Sequence, residues 1–344
     1  MINQRSPTIL NESHSFYVER RIPEHRGNPM LTITALTPPE SLAATTPSTS
    51  TPLRVGLVQH RWHEDQDDLY TELSEGIASA AKLGASVVFL PELTLSRYPA
   101  STPAGDNPGR EAEDLLTGPT LAFAAKAAAE NQVLVHASLY ERSEAEDGLG
   151  FNTAILVSPE GELLARTRKL HIPVTAGYYE DTYFRGGPAQ DAYPVHEALG
   201  AKFGLPTCWD EWFPEVARAY SLAGAQVLVY PTAIGSEPDH PNFDTQPLWQ
   251  QVIVGNGIAN GTFMVVPNRH GSEGLITFYG SSFISDPYGR ILVQAPRDES
   301  AVLVADLDLR QREDWLALFP FLSTRRPDTY SALTAPVNTA GANR

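Results

Sequence analysis

The chain carries one cysteine, Cys208, among its 344 residues. A single thiol excludes an intrachain disulfide framework and agrees with a reducing compartment, so the cytoplasm is the expected location. Long apolar runs are missing too: no stretch approaches the roughly 18 consecutive apolar residues of a membrane helix. Basic side chains are scarce, 25 against 41 acidic ones, for a formal charge of −16. Repulsion of that size disfavours nucleic acid and anionic membranes as partners and mildly favours cationic ligands. No His-Glu-x-x-His occurs, and His60 and His63 have no cysteine beside them, so neither a metal nor another cofactor is expected. Gly-x-Ser-x-Gly and a glycine-rich phosphate loop are absent, which argues against a serine hydrolase and a nucleotide-binding role.

What is present is a hydrophobic content of 42%, enough for a sizeable core. Residues 1–52 are polar and end in a Ser/Thr/Pro-rich stretch, which reads as a disordered tail without the apolar segment of a secretory signal. Met30 is a second possible start of translation. From residue 53 the pattern alternates: strand 53–58, helix 69–83 closed by Gly84, strand 87–90, helix 120–130 and strand 133–139. The runs 151–157 and 163–169 flank Ser158-Pro-Glu-Gly-Glu162, the turn chemistry of a hairpin, so the order turns antiparallel there. Strand 225–230, helix 248–260 and strands 263–267, 276–285, 290–295 and 301–306 follow. No polar linker divides residues 53–335, which predicts one α/β domain with a mixed sheet, followed by a flexible C-terminus at 336–344.

Cys208 falls at the seam between a short apolar strand, 201–206, and a helix predicted over 212–222. At the N-terminus of a helix the thiolate is favoured by unpaired N–H groups, and the thiol pKa is expected to fall by several units from about 8.5. Glu92 follows Val87-Val-Phe-Leu-Pro91, and Lys169 ends the strand 163–169. Both therefore sit where a strand runs out, the edge at which open α/β sheets bind ligands. Taken alone, each has an ordinary explanation: a buried apolar thiol for the cysteine, solvated loop charges for the other two.

Together Pro91-Glu92-Leu93, Arg168-Lys169-Leu170-His171-Ile172-Pro173 and Pro206-Thr207-Cys208-Trp209-Asp210-Glu211-Trp212-Phe213-Pro214-Glu215 resemble, in order, the Glu, Lys and Cys signatures of the nitrilase superfamily of carbon–nitrogen hydrolases. Gly177-Tyr-Tyr-Glu180, Tyr230-Pro-Thr-Ala-Ile-Gly-Ser-Glu237 and Ile276-Thr-Phe-Tyr-Gly-Ser-Ser-Phe283 are most similar to its N-carbamoylputrescine amidase branch. The resemblance spans residues 53–333. It implies a four-layer α-β-β-α sandwich with mixed sheets, assembled as a homodimer or higher homo-oligomer. It also implies Cys208 as nucleophile, Glu92 as general base and Lys169 as oxyanion stabiliser, with Glu180 as an additional glutamate that keeps Lys169 charged.

Amides are poor electrophiles with poor leaving groups, so their hydrolysis needs a strong nucleophile, a proton carrier and an oxyanion stabiliser. Three of the residues supply one each. Members that take N-carbamoyl amino acids are expected to carry a basic residue after the cysteine. This chain has Trp209, Asp210 and Glu211 there, which suits a substrate with an amine or ammonium end and makes these three the candidate substrate-binding residues. The alternative for the two acids is capping of the following helix. Val174-Thr175-Ala176 stand where the putrescine enzymes tend to have acidic residues, so an amidase or nitrilase acting on another small amide, nitrile or N-carbamoyl amino acid stays open, as does a scaffold without turnover.

Overall fold

The computed structural model describes residues 30–336 and the two-residue segment Tyr17–Val18. The strands, in chain order, begin with β1 (Tyr17–Val18), β2 (Leu31–Ala35) and β3 (Leu53–Gln59), after which come helix α1 (Gln66–Lys82) and β4 (Val87–Phe89). Next are α2 (Pro119–Asn131), β5 (Leu134–Glu141), β6 (Phe151–Val157), β7 (Leu163–Arg168), β8 (Val195–Ala198) and β9 (Ala201–Gly204). The second half contributes α3 (Pro214–Leu222), β10 (Val227–Val229), α4 (Gln246–Asn260), β11 (Phe263–Val266), β12 (His270–Ser272) and β13 (Thr277–Tyr279). It closes with β14 (Phe283–Ser285), β15 (Ile291–Gln294), β16 (Ala301–Leu307) and α5 (Arg310–Leu318).

Two mixed sheets result, in the orders β1-β2-β16-β3-β4-β5-β6-β7 and β15-β14-β11-β10-β9-β8. Alternation along the strands decides what each face meets. In β4, Val87 and Phe89 enter the core between the sheets, shared with Phe203, Val227, Val229, Phe263 and Val265 of the second sheet. Val88 points the other way, into a core with Leu69, Leu73 and Ile77 of α1 and Phe123 and Ala127 of α2. On the far side, α3 and α4 cover the second sheet through Val216, Tyr220, Trp249 and Ile253. The architecture is the α-β-β-α sandwich of the nitrilase type.

Most expected elements stand close to their predicted bounds, and Gly84 closes α1 with a φ of +88°. The expected helix over 212–222 is split: a 3₁₀ turn, Cys208–Trp212, precedes α3. The expected strand over 276–285 is broken between β13 and β14 by Gly280, at φ +53°, and Ser281, at φ +58°. The tail expected at residues 1–52 is corrected for its second part. β2 pairs in parallel with β16 over Leu31–Ala35, and Ile33 is buried in the core between the sheets. Beyond β2, Ser41 Oγ donates to Asp314 at 2.8 Å, Gln311 to the Pro39 carbonyl at 2.8 Å, and Arg290 to the Glu40 carbonyl at 2.9 Å. Strand pairing and side-chain-to-backbone hydrogen bonds order a segment whose apolar content alone could not. Apart from Tyr17–Val18, the rest of the expected tail before residue 30 lies outside the described residues, and so does the expected flexible C-terminus from residue 337 onward. Among the described residues no helix is long and apolar enough to cross a membrane.

Candidate active site

Glu92 stands three residues beyond β4 and is fully buried. Its carboxylate is fixed at both oxygens: Oε1 accepts from Asn152 Nδ2 at 2.7 Å and Lys169 Nζ at 2.9 Å, and Oε2 accepts from the Ala233 amide at 2.8 Å. The loop that carries it passes through Leu93 at φ +50°, a left-handed conformation that is strained for leucine. Arg269 holds that turn, donating from Nη2 to the Glu92 and Leu93 carbonyls at 2.7 and 2.9 Å. The guanidinium is itself buried and paired with Glu273 at 2.8 Å.

Lys169 follows β7 directly, and its amide donates to the Asn152 carbonyl at 2.8 Å. Asn152 thus fastens both Glu92 and Lys169 from β6. The ammonium reaches Glu180 Oε2 at 2.7 Å as well as Glu92, and Glu180 Oε1 accepts from Tyr98 Oη at 2.8 Å. Burial by itself would lower the Lys169 pKa, but the charges of Glu180 and Glu92 outweigh it and hold the ammonium well above its ordinary value. Burial raises Glu180 to about 7, against the pull of Lys169.

Cys208 lies past β9 on a strained turn, at φ +41°. The strand before it presses against α3 so closely that a Cβ on Gly204 would come within 2.5 Å of the Tyr220 ring. Cys208 is buried, and its amide donates to the Pro231 carbonyl at 3.0 Å. The expected lowering of the thiol pKa is corrected. Burial and then the charge of Glu92 push it well above the usual range, and Lys169 only partly offsets them. The helix that was to favour the thiolate is here a 3₁₀ turn of five residues, too short to supply a developed dipole.

The two acids after the cysteine part company. Asp210 accepts from the Thr207 amide at 3.1 Å, the Leu170 amide at 3.3 Å, the His171 amide at 2.9 Å and His171 Nδ1 at 2.7 Å. Four donors occupy its two oxygens, so Asp210 ties the Lys169 segment to the Cys208 turn. His171 is held from its other face by Phe213, stacked at 3.8 Å and 14°. Glu211 is fully buried and neither of its oxygens accepts a hydrogen bond. Trp209 is half-buried, 6.2 Å from Trp212 between ring centroids.

The structure brings Glu92, Lys169, Glu180 and Cys208 into one buried cluster, at the meeting of the two sheets. Asn152, Tyr98, Arg269 and Glu273 complete it and were not anticipated from sequence. Asn152 had one available signal, a polar amide in a strand of otherwise small and apolar residues. Among the described residues no group of three or more acidic, histidine or cysteine side chains could hold a metal ion.

Comparison with known proteins identifies the family. The family described as carbon-nitrogen hydrolase matches residues 54–316. A citrullinase from Francisella tularensis is 32% identical over 285 residues, covering 82% of this chain and 98% of its own. An N-carbamoylputrescine amidase from Arabidopsis thaliana is 35% identical over 277 residues, covering 76% and 91%. Among solved structures, a carbon-nitrogen hydrolase from Helicobacter pylori G27 superposes with a TM-score of 0.72 at 30% identity, over 82% of this chain and 98% of that one. The chain belongs to the carbon–nitrogen hydrolase family of the nitrilase superfamily.

Proposed function

We propose that this enzyme hydrolyses N-carbamoyl amines of the N-carbamoylputrescine type with release of ammonia. The observation that carries the reading is the buried Glu92–Lys169–Glu180 chain of charge beside a thiol that burial keeps protonated. In this proposal Glu92 takes the thiol proton as the Cys208 sulfur bonds to the carbamoyl carbon. Lys169, assisted by the Trp209 amide, bears the negative charge that gathers on the oxygen. The carbon–nitrogen bond then breaks, the proton held by Glu92 leaves with ammonia, and an S-carbamoyl cysteine remains. Water, deprotonated by Glu92, cleaves the carbon–sulfur bond, restores the thiol and frees a carbamate that decays to amine and carbon dioxide.

The similarity to the Arabidopsis N-carbamoylputrescine amidase and the formal charge of −16 support an amine-bearing substrate. The setting we infer is polyamine metabolism in the cytoplasm, as a homodimer or larger homo-oligomer, in keeping with the single cysteine and the family resemblance. Similarity to a citrullinase favours a second reading, an N-carbamoyl substrate that ends in an amino acid. Ammonia release across N-carbamoyl amines, citrulline, N-carbamoyl amino acids, simple amides and nitriles separates the two. The highest kcat/KM should fall on an N-carbamoyl amine with a terminal ammonium; higher efficiency on citrulline, a simple amide or a nitrile would refute the proposal.

A further inference from the structure

Beside the catalytic cluster lies a carboxylate that nothing in the protein uses. Glu211 is fully buried, and neither oxygen has a donor in good hydrogen-bond geometry; the Trp249 indole N–H is the one group close enough to pull its pKa down by hydrogen bonding. It is not alone: Tyr230 Oη is buried near it without a partner, and Trp249 Nε1 and Tyr279 Oη, close to Glu211 and Thr245 respectively, make no hydrogen bond of good geometry. Glu211 lies close enough that its ionised form would act on both tyrosines and on Cys208, within electrostatic reach of the nucleophile. Buried polar groups without partners are rare and costly, and several gathered at one site call for a ligand to complete them. Asp210, the residue before, shows the contrast, since four donors satisfy it.

Tyr279 also borders a cavity of about 480 Å³ lined by Ser236, Phe243, Thr245 and Phe278. Phe243 and Phe278 give this space an apolar wall suited to an alkyl chain. Neither Cys208 nor Glu211 lines this cavity; Tyr279 is the residue common to its wall and to the unpartnered groups around Glu211.

Resting on the reading of Cys208 as nucleophile, the geometry points to Glu211 as the specificity-determining carboxylate of the site, receiving a cationic nitrogen of the substrate, with Trp249, Tyr230 and Tyr279 around it. An ammonium brings the positive charge and the N–H donors that two bare oxygens lack. A ligand carboxylate would meet Glu211 and Glu92 together and be repelled. Burial, with the charge of Glu92, also raises the Glu211 carboxyl well above its usual range. A bound cation would reverse that, and binding should release a proton.

The test compares matched substrates. For the wild type, Glu211→Gln and Glu237→Gln, kcat/KM is measured on an N-carbamoyl amine ending in an ammonium and on an N-carbamoyl alkylamine of equal length. Two acids, Asp244 and Asp298, line the cavity but are exposed; Glu237, half-buried next to the lining residue Ser236, serves as the rival. Glu211→Gln should lower the charged-to-neutral ratio by roughly tenfold to a hundredfold, mainly through KM, and Glu237→Gln should lower it less. An unchanged ratio in Glu211→Gln, or an equal fall in Glu237→Gln, overturns the assignment. Binding of 1,4-diaminobutane gives a readout free of turnover. Calorimetry in two buffers should show proton release with Cys208→Ala, and the affinity should drop at least about tenfold on adding Glu211→Gln. Equal affinities would overturn the assignment as well. Should Glu211→Gln fail to fold, Glu211→Asp takes its place: the ratio must stay closer to the wild type on retaining the charge than in Glu211→Asn. If the wild type cleaves simple amides but no N-carbamoyl amine, the proposed function falls, and the same ratio on an ω-amino amide and an alkyl amide still decides the role of Glu211.

Discussion

The two parts of the site are built on opposite rules. Around Lys169 every charged oxygen has a donor: Glu92 is held by three, and Glu180 by Lys169 and Tyr98. Around Glu211 the carboxylate, two tyrosine hydroxyls and an indole N–H make no hydrogen bond of good geometry. In the proposed mechanism the saturated part fixes the groups that act on the reacting atoms, where misplacement is costly. The unsaturated part is poor as a piece of folded protein and apt as a place for a ligand.

The sharpest break in the saturated part is Cys208→Ala. Ammonia release should vanish, by at least about a thousandfold, with the melting temperature close to that of the wild type because a single sulfur atom is all that the cluster around it loses. Retained turnover would remove the cysteine from the mechanism. Iodoacetamide should label Cys208 slowly at pH 7, since burial and Glu92 keep the thiol protonated; fast labelling would show a thiolate at rest.

Asn152→Ala and Asp210→Asn come next. Asn152 places both Glu92 and Lys169, and Asp210 joins their segment to the cysteine turn. Each should lower kcat by about ten- to a hundredfold with KM little changed, the mark of groups that position others. A change confined to KM would move either residue into substrate binding.

A smaller effect separates the two parts by pH. Glu180 titrates at about 7 in the fold and near the ordinary 4.5 when unfolded, so between these values the folded state holds the extra proton. Its contribution to stability is therefore present below about 4.5 and lost as pH rises through about 7. At about 1.4 kcal/mol per pKa unit the ceiling is a few kcal/mol. Urea midpoints at pH 5 and pH 8 should fall further in the wild type than in Glu180→Gln, and equal falls would contradict the assignment.

The least perturbing change is expected at Glu211. Replacing an unpartnered buried acid by glutamine removes a group that the fold itself does not use, so Glu211→Gln should melt within about 1 kcal/mol of the wild type or above it. Removing one partner of the buried Lys169 pair, as in Glu180→Ala, should instead cost about 3–5 kcal/mol. If Glu211→Gln proved the more damaging of the two, the contrast between the parts would collapse.

Several features could be read directly from the chain. Alternating and helical periodicities located most strands and helices, because a residue that must face a core carries its polarity in the sequence. Glu92, Lys169 and Cys208 were placed at strand ends by short motifs. The strand Leu31–Ala35 was legible only in retrospect: its Leu-Thr-Ile-Thr-Ala alternation is that of a half-buried strand, but the polar residues around it hid the signal. Its partner, β16, comes some 270 positions later in the chain.

The sequence by itself determined the layered α/β pattern and the identity and order of the three central side chains, since both depend on local spacing. Tertiary structure alone decided which of two adjacent acids is satisfied, because the donors to Asp210 include His171, 39 positions away. It also decided the state of the thiol. A pKa follows the water excluded and the charges gathered by packing, and Glu92 reaches Cys208 only after the two sheets have met.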